Sequence, residues 1–295
     1  MARTRQYYTA IGYMVPYRWA HYVEAPFQTL TKPLARSRLA LVTTAAPYQP
    51  ARGDQGPGAS YNAAAKFYGV YSGATAETHD LRISHIAYGR THTTATDSGT
   101  WFPLPEMLRL AKHGRIGAVA KHFHGAPTNR SHRATIETDA PEILRRCRDD
   151  EVDAAVLVPN CPVCHQTVSL VARYLEANGI ATVVAGCAKD IVEHCAVPRF
   201  LFSDFPLGNS AGKPHDAASQ AFTLDLALQV LESAPAARTT VQSPLRWAND
   251  ASWKLDFCNA ERMTAEELAR RRLEFEQQKR AARGRRETAA ARWPA

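Results

Sequence analysis

Short apolar runs alternate with amphipathic segments through most of this chain, and that alternation restricts the fold more than any other property of the sequence. Strands are expected at Leu39–Thr44, Leu81–Tyr88, Ile116–His124, Ala154–Val158, Ile180–Ala185 and Arg199–Phe202. Helices are expected at Pro103–His113 and Pro141–Asp149, from Pro162 through the amphipathic segment Thr167–Asn178, and briefly near Asp190. Strand and helix alternating at this spacing form βαβ units, which give a mainly parallel sheet with helices on both faces. The expected fold class is therefore α/β, an open sheet of Rossmann-like or flavodoxin-like type.

Four segments are expected: an arm at 1–38, a first α/β half at 39–138, a second at 139–235, and a C-terminal extension with a basic helix at 236–295. The arm is aromatic and irregular, with Tyr7, Tyr8, Tyr13, Tyr17, Trp19, Tyr22 and Phe27 as packing anchors across the domain or a neighbouring subunit. The last helix opens on Thr264-Ala-Glu-Glu267, a capping box, and should run to about Arg283, with fraying beyond Gly284. A chain of 295 residues with 45% hydrophobic residues can bury a sizeable core, which excludes disorder for the bulk. The net charge of +8 hints at an acidic partner, but ten Arg or Lys face six Glu from Glu261 onward, so half of the surplus sits on the tail helix. No nucleic-acid partner is expected. No signal-peptide core and no run of membrane-spanning length appears, so the expected location is the cytoplasm, where the six cysteines stay reduced. Neither a GxGxxG after a strand nor a GxxxxGK[ST] occurs, which leaves no sequence support for a nucleotide cofactor.

The chemistry concentrates at Cys161-Pro-Val-Cys164-His165, between an expected strand and an expected helix. Proline is favoured at the first helical position, which places Cys161 at the N-cap and Cys164 in the first turn. Unpaired N–H groups and the positive end of the helix dipole then favour thiolate over thiol. A second cysteine three residues on can resolve an intermediate as an intramolecular disulfide, so Cys161 is the expected nucleophile and Cys164 the resolving thiol. His165 is a candidate proton-transfer group, and a helix-surface histidine without a role is the competing reading.

Other polar groups fall at strand ends that should converge on one crevice. Thr43 and Thr44 close the first strand, His92, Asp97 and Ser98 follow the second, and Asn209 and His215 follow the last. These, with His122, are the candidate substrate-binding residues, and His124 joins the catalytic set; capping of turns is the alternative role for the Thr and Ser. His122 and His124 alternate by two, which sends both to one sheet face. Cys187, His194 and Cys195 add further ligand types, yet no second Cys-x-x-Cys or Cys-x-x-His knuckle is present, so no structural metal is expected.

Taken in order, Leu41-Val-Thr-Thr44, Ile83-Ser-His-Ile-Ala-Tyr88 with Asp97 and Phe102-Pro103, the Cys-x-x-Cys and Phe205-Pro-Leu-Gly-Asn209 resemble the selenoprotein B family. That family comprises the substrate-specific subunits of glycine, sarcosine and betaine reductases and the dithiol-dependent D-proline reductase. The resemblance spans roughly Leu39 to Leu231, and the aromatic arm is similar to the proline-reductase type. It implies reductive cleavage of a carbon–nitrogen bond, a disulfide or selenenylsulfide intermediate, and a second reductase subunit. Cys161 matches the position of the selenocysteine and Cys164 that of its partner thiol. This chain carries cysteine where those relatives carry selenium.

The leading expectation is thus an oxidoreductase, a thiol-dependent reductase of a small polar amine or nitrogen heterocycle. Cys161 attacks, Cys164 resolves, and His124 or His165 protonates the leaving group. An external dithiol or thioredoxin-like reductant, a partner subunit or thiol donor, and a homo-oligomer accompany it. One alternative is a cysteine- or zinc-dependent hydrolase, desulfurase or racemase-like enzyme, with zinc on Cys161, Cys164 and a histidine. A second is a non-catalytic small-ligand-binding subunit.

Overall fold

The computed structural model describes the chain except residues 16, 58, 60, 86, 129, 130 and 293–295, with side chains also set aside at 278, 282 and 285–292. Its elements in chain order are α1 (Ala2–Ala10), β1 (Arg38–Thr43), β2 (Ala46–Pro47), β3 (Tyr71–Ala74), β4 (Leu81–Arg82), α2 (Leu104–Lys112), β5 (Ala118–Val119), β6 (His122–Gly125), α3 (His132–Ala134), α4 (Ala140–Asp149), β7 (Ala154–Val158), α5 (Pro162–Ala177), β8 (Ala181–Gly186), α6 (Lys189–His194), β9 (Arg199–Phe202), α7 (Ala217–Ser233), β10 (Thr239–Gln242) and α8 (Ala265–Arg292). One sheet runs in the order β10-β9-β8-β7-β1-β6-β3, with β5 also paired to β1. Its pairings are parallel except that of β3 with β6. The fold is α/β, a mainly parallel sheet flanked by helices, as the alternating pattern requires.

The central strands are buried along their whole length because helices cover both faces. Ala154 to Val158 of β7 and Ala181 to Gly186 of β8 contain no exposed position. One face packs Leu39, Leu41, Val156, Val183 and Leu201 against α2 and α7. The other packs Ala40, Val42, Ala155, Leu157 and Val184 against α4 and α5. Period-two alternation in the strands thus divides one apolar sheet between two cores. Strand β1 registers Leu39–Thr43 against Ala154–Val158, so strands from both expected halves share this sheet.

Several elements depart from expectation. The run Leu81–Tyr88 forms a strand only at Leu81–Arg82, paired with β2 in a separate two-stranded sheet, and residues 83–85 continue as loop. The run Ile116–His124 divides into β5 and β6, of which β6 also pairs with β3. The arm is less irregular than expected, since residues 2–10 are helical. It lies across its own domain: Ala20 N–H donates to Gln166 Oε1 at 2.7 Å, Gln166 Nε2 donates to Tyr17 Oη at 2.7 Å, and Arg173 reaches the Glu24 carbonyl at 2.6 Å. This contact buries the outer, polar face of α5 as well as its inner one, including Gln166, Thr167 and Ser169. The capping box holds, with Glu267 N–H donating to Thr264 Oγ1 at 3.1 Å, but the helix runs beyond Gly284 to Arg292 instead of fraying.

Candidate functional site

After β1 the chain crosses to β6 on one side, then returns past β1 to β7 on the other. The strand order therefore reverses between β1 and β7, and the loops leaving their C-terminal ends diverge to open a crevice. Thr44 follows β1 and Asn160-Cys161 follow β7, and the Asn160 N–H donates to Thr44 Oγ1 at 3.1 Å across the gap. The paired cysteines stand at this switch point.

Cys161 is the N-cap of α5, its sulfur accepting the Cys164 N–H at 3.3 Å, with Pro162 at the first helical position as expected. The two sulfurs lie 2.7 Å apart as free thiols. Little movement separates that spacing from the roughly 2.0 Å of a disulfide. Burial pushes both thiols up, but they are not equivalent. Against burial, Cys164 is held well below the ordinary thiol range by a hydrogen bond from Cys161, by the nearby His85 and by the Thr44 hydroxyl. Cys161 lies well above it, through burial and through the charge on its neighbour, with the Lys66 ammonium as an opposing influence.

His85 is the functional residue that the sequence reading passed over. Its Nε2 lies 2.8 Å from the Thr44 carbonyl, and one ligand atom from each of His85, Cys161 and Cys164 lies within 4.8 Å of the others. Arg90 fixes its backbone, donating from Nη1 to the His85 carbonyl at 2.7 Å and from Nε to the Ala59 carbonyl at 2.6 Å. His85 was hidden inside a run read as strand. Its one signal was membership of the Ile83–Tyr88 motif.

The expected site residues separate into three groups. Thr44, Cys161 and Cys164 come together, and Thr43 lies beside them but spends its hydroxyl on the Trp101 carbonyl at 3.2 Å. His165 is adjacent and fully engaged: Nδ1–H donates to the Cys161 carbonyl at 2.7 Å and Nε2 accepts the Cys187 N–H at 2.8 Å. Burial depresses it to about 4, so it is a neutral brace between α5 and the loop after β8. Gly186 makes room for it, since a Cβ there would stand 2.8 Å from the imidazole ring. Asn209 is buried below the same loop, its Nδ2 donating to the Pro206 carbonyl at 2.9 Å.

The second group makes its contacts in the loops after β4 and β9, and of its members only His92 lines a cleft. Asp97 accepts from Gly99 N–H, His215 N–H and Gln220 Nε2 at 2.9, 2.7 and 2.8 Å, and His215 Nε2 lies 2.9 Å from Thr96 Oγ1. Ser98 is exposed on the turn that Asp97 caps. His92 lies 3.5 Å from Asp256 and edge-on to Trp253. It helps line a cleft of about 920 Å³ enclosed by α1, the loop at 87–92 and the C-terminal extension. Pro162 and Cys187 form part of that wall, and the two sulfurs lie behind it.

The third group sits away from the thiols. His122 begins β6, at the opposite end of a strand parallel to β1, and pairs with Asp150 at 3.0 Å. His124 is buried, with Nδ1 2.8 Å from Ser72 Oγ, and burial lowers it to about 4 among Asp150, Arg146 and Glu142. The two histidines therefore do not meet Cys161. Cys187, His194 and Cys195 do not gather either: among the described residues the only cluster of metal-ligating type is His85, Cys161 and Cys164.

No family model matches the chain, and no solved structure matches it. Two curated proteins do. Over 221 residues it is 28% identical to the D-proline reductase subunit gamma of Acetoanaerobium sticklandii, covering 74% of this chain and 88% of that protein. Over 215 residues it is 27% identical to the glycine reductase complex component B subunit gamma of Symbiobacterium thermophilum, covering 69% of this chain and 48% of that protein. The match to the glycine reductase relative thus spans about half of its length. The chain is therefore similar to a D-proline reductase subunit and to a glycine reductase component B subunit, in line with the resemblance carried by the ordered motifs.

Proposed function

We propose that this chain is the thiol-bearing subunit of a reductase that cleaves a C–N or related bond in a small polar amine or nitrogen heterocycle. The observation that carries this reading is the reduced pair at the switch point, with sulfurs 2.7 Å apart and the negative charge favoured on Cys164. Cys161 is the nearer to solvent, 4% exposed against 0% for Cys164, and is the attacking sulfur. It passes its proton to Cys164 and bonds to the carbon that bears nitrogen. Cys164 returns that proton to the departing nitrogen. The Cys164 thiolate then attacks the Cys161 sulfur, the carbon leaves with the bonding electrons and takes a second proton by way of His85, and a disulfide remains. An external dithiol or thioredoxin-like protein reduces it. Both relatives are named as subunits of reductases, which supports an assembly with partner subunits; self-association of this chain is a further part of the proposal. Met14 and Val15, 91% and 78% exposed, offer apolar surface for such contacts.

The test is turnover with a panel of cyclic and acyclic amines, partner subunits supplied and reductant withheld. Mass spectrometry should then find a Cys161–Cys164 disulfide, and Cys164→Ser, which lacks both the proton acceptor and the resolving sulfur, should neither cleave substrate nor form a disulfide. Consumption of substrate with both thiols still free would sink the reading.

A further inference from the structure

We infer that the reduced site is also a Zn²⁺ site, with Cys161, Cys164 and His85 as ligands, and that zinc capture and disulfide formation are mutually exclusive states of the same sulfurs. This rests on the reduced dithiol of the proposed function but requires no substrate. One ligand atom from each residue lies within 4.8 Å of the others, and all three side chains are buried. Two thiolates and an imidazole with an open fourth position is a ligand set that zinc accepts. Zn–S near 2.3 Å and Zn–N near 2.0 Å in a tetrahedron imply ligand separations of roughly 3.6–3.8 Å, so the sulfurs need part by only about 1 Å.

The surroundings are those of a prepared ligand set. His85 gives its Nε2–H to the Thr44 carbonyl, which leaves the Nδ1 lone pair for a metal. A second hydrogen bond of this kind is what holds a ligating imidazole in the right tautomer. Arg90 pins the backbone of the same histidine, and the Cys164 N–H already donates to the Cys161 sulfur. Asn160, the residue before Cys161, is fully buried with neither side-chain polar atom hydrogen-bonded among the described residues. Binding ties up both sulfurs, so a zinc-loaded subunit cannot form the disulfide.

The experiment is a zinc titration of the anaerobically reduced full-length protein against a chromogenic indicator, with X-ray absorption on the unmodified protein. One equivalent should bind with two sulfur ligands and at least one nitrogen. His85→Ala should weaken binding at least tenfold, Cys187→Ser should not, and oxidation to the Cys161–Cys164 disulfide should abolish it. No competition with the indicator, a sulfur count other than two, or binding that survives disulfide formation would overturn the inference. A bound zinc in a protein that never forms the disulfide would instead leave this inference standing and remove the reductase reading.

Discussion

At the scale of single residues, the fold holds two histidines neutral by burial, one beside the thiols and one away from them. His165 and His124 are both depressed to about 4, mainly through burial, from an ordinary 6.5. Between those values the unfolded chain binds more protons than the folded one, so stability falls as pH drops from 6.5 towards 4. Each residue should cost roughly 3 kcal/mol by the lower end of that window. Urea unfolding from pH 7 to 4 should show the loss, and a flat stability over that range would refute the assignment. His85 illustrates what a sequence hides at this scale. Its role comes from Thr44 and Cys164, residues distant in the chain, with Arg90 five residues on fixing its backbone, and no local spacing announces that convergence.

At the scale of elements, an ion pair joins the far end of the helix that carries the thiols to the rest of the sheet. Glu176 in the last turn of α5 accepts from Arg199 Nη1 of β9 at 2.7 Å, with side chains 0% and 2% exposed. It also accepts the Thr182 N–H at 2.5 Å and the Gln28 N–H, while Arg199 Nη2 donates to the Gln28 carbonyl at 2.7 Å. Removing one partner strands a buried charge, so Arg199→Ala should cost about 3–5 kcal/mol in chemical denaturation. Glu176→Leu combined with Arg199→Met should recover most of that loss. If the double variant is as unstable as the single one, the stranded charge is not the cause. Element types were legible where period and punctuation agreed: β7, β9 and the Pro162 start of α5 fall where the sequence places them. The run after Leu81 misled because Ile83, Ala87 and Tyr88 are buried outside any strand, and burial alone does not distinguish loop from strand.

At the scale of the molecule, the two ends of the chain form a roof. Tyr7 and Tyr8 from α1, Ile11 just after it and Phe275 from α8 share one apolar cluster with Cys161 and Cys164. The Tyr13 and Phe275 rings meet at a tilt of 40° with centroids 4.3 Å apart, and Arg271 donates to Tyr7 Oη at 3.1 Å, which locks the ends together. The dithiol is thereby kept from bulk solvent, in keeping with the raised thiol of Cys161. Phe275→Ala, or deletion of residues 1–12, should raise the rate of Cys161 alkylation at least fivefold, read by peptide mass spectrometry, with Cys147 as the internal control. Unchanged labelling would show that access does not pass beneath these helices. Among the described residues, no helix is long and apolar enough to cross a membrane.

By itself the sequence determined the α/β class, the capped helix start that places Cys161 over Cys164, and the family resemblance, because each depends on residues close together in the chain. Only the tertiary structure decided which polar groups reach the sulfurs. The reversal of strand order beside β1 brings Thr44 to Cys164, the loop after β4 adds His85, and β6 carries His122 to the opposite edge. Those outcomes follow from strand order and direction, which hydrogen bonding between distant segments sets.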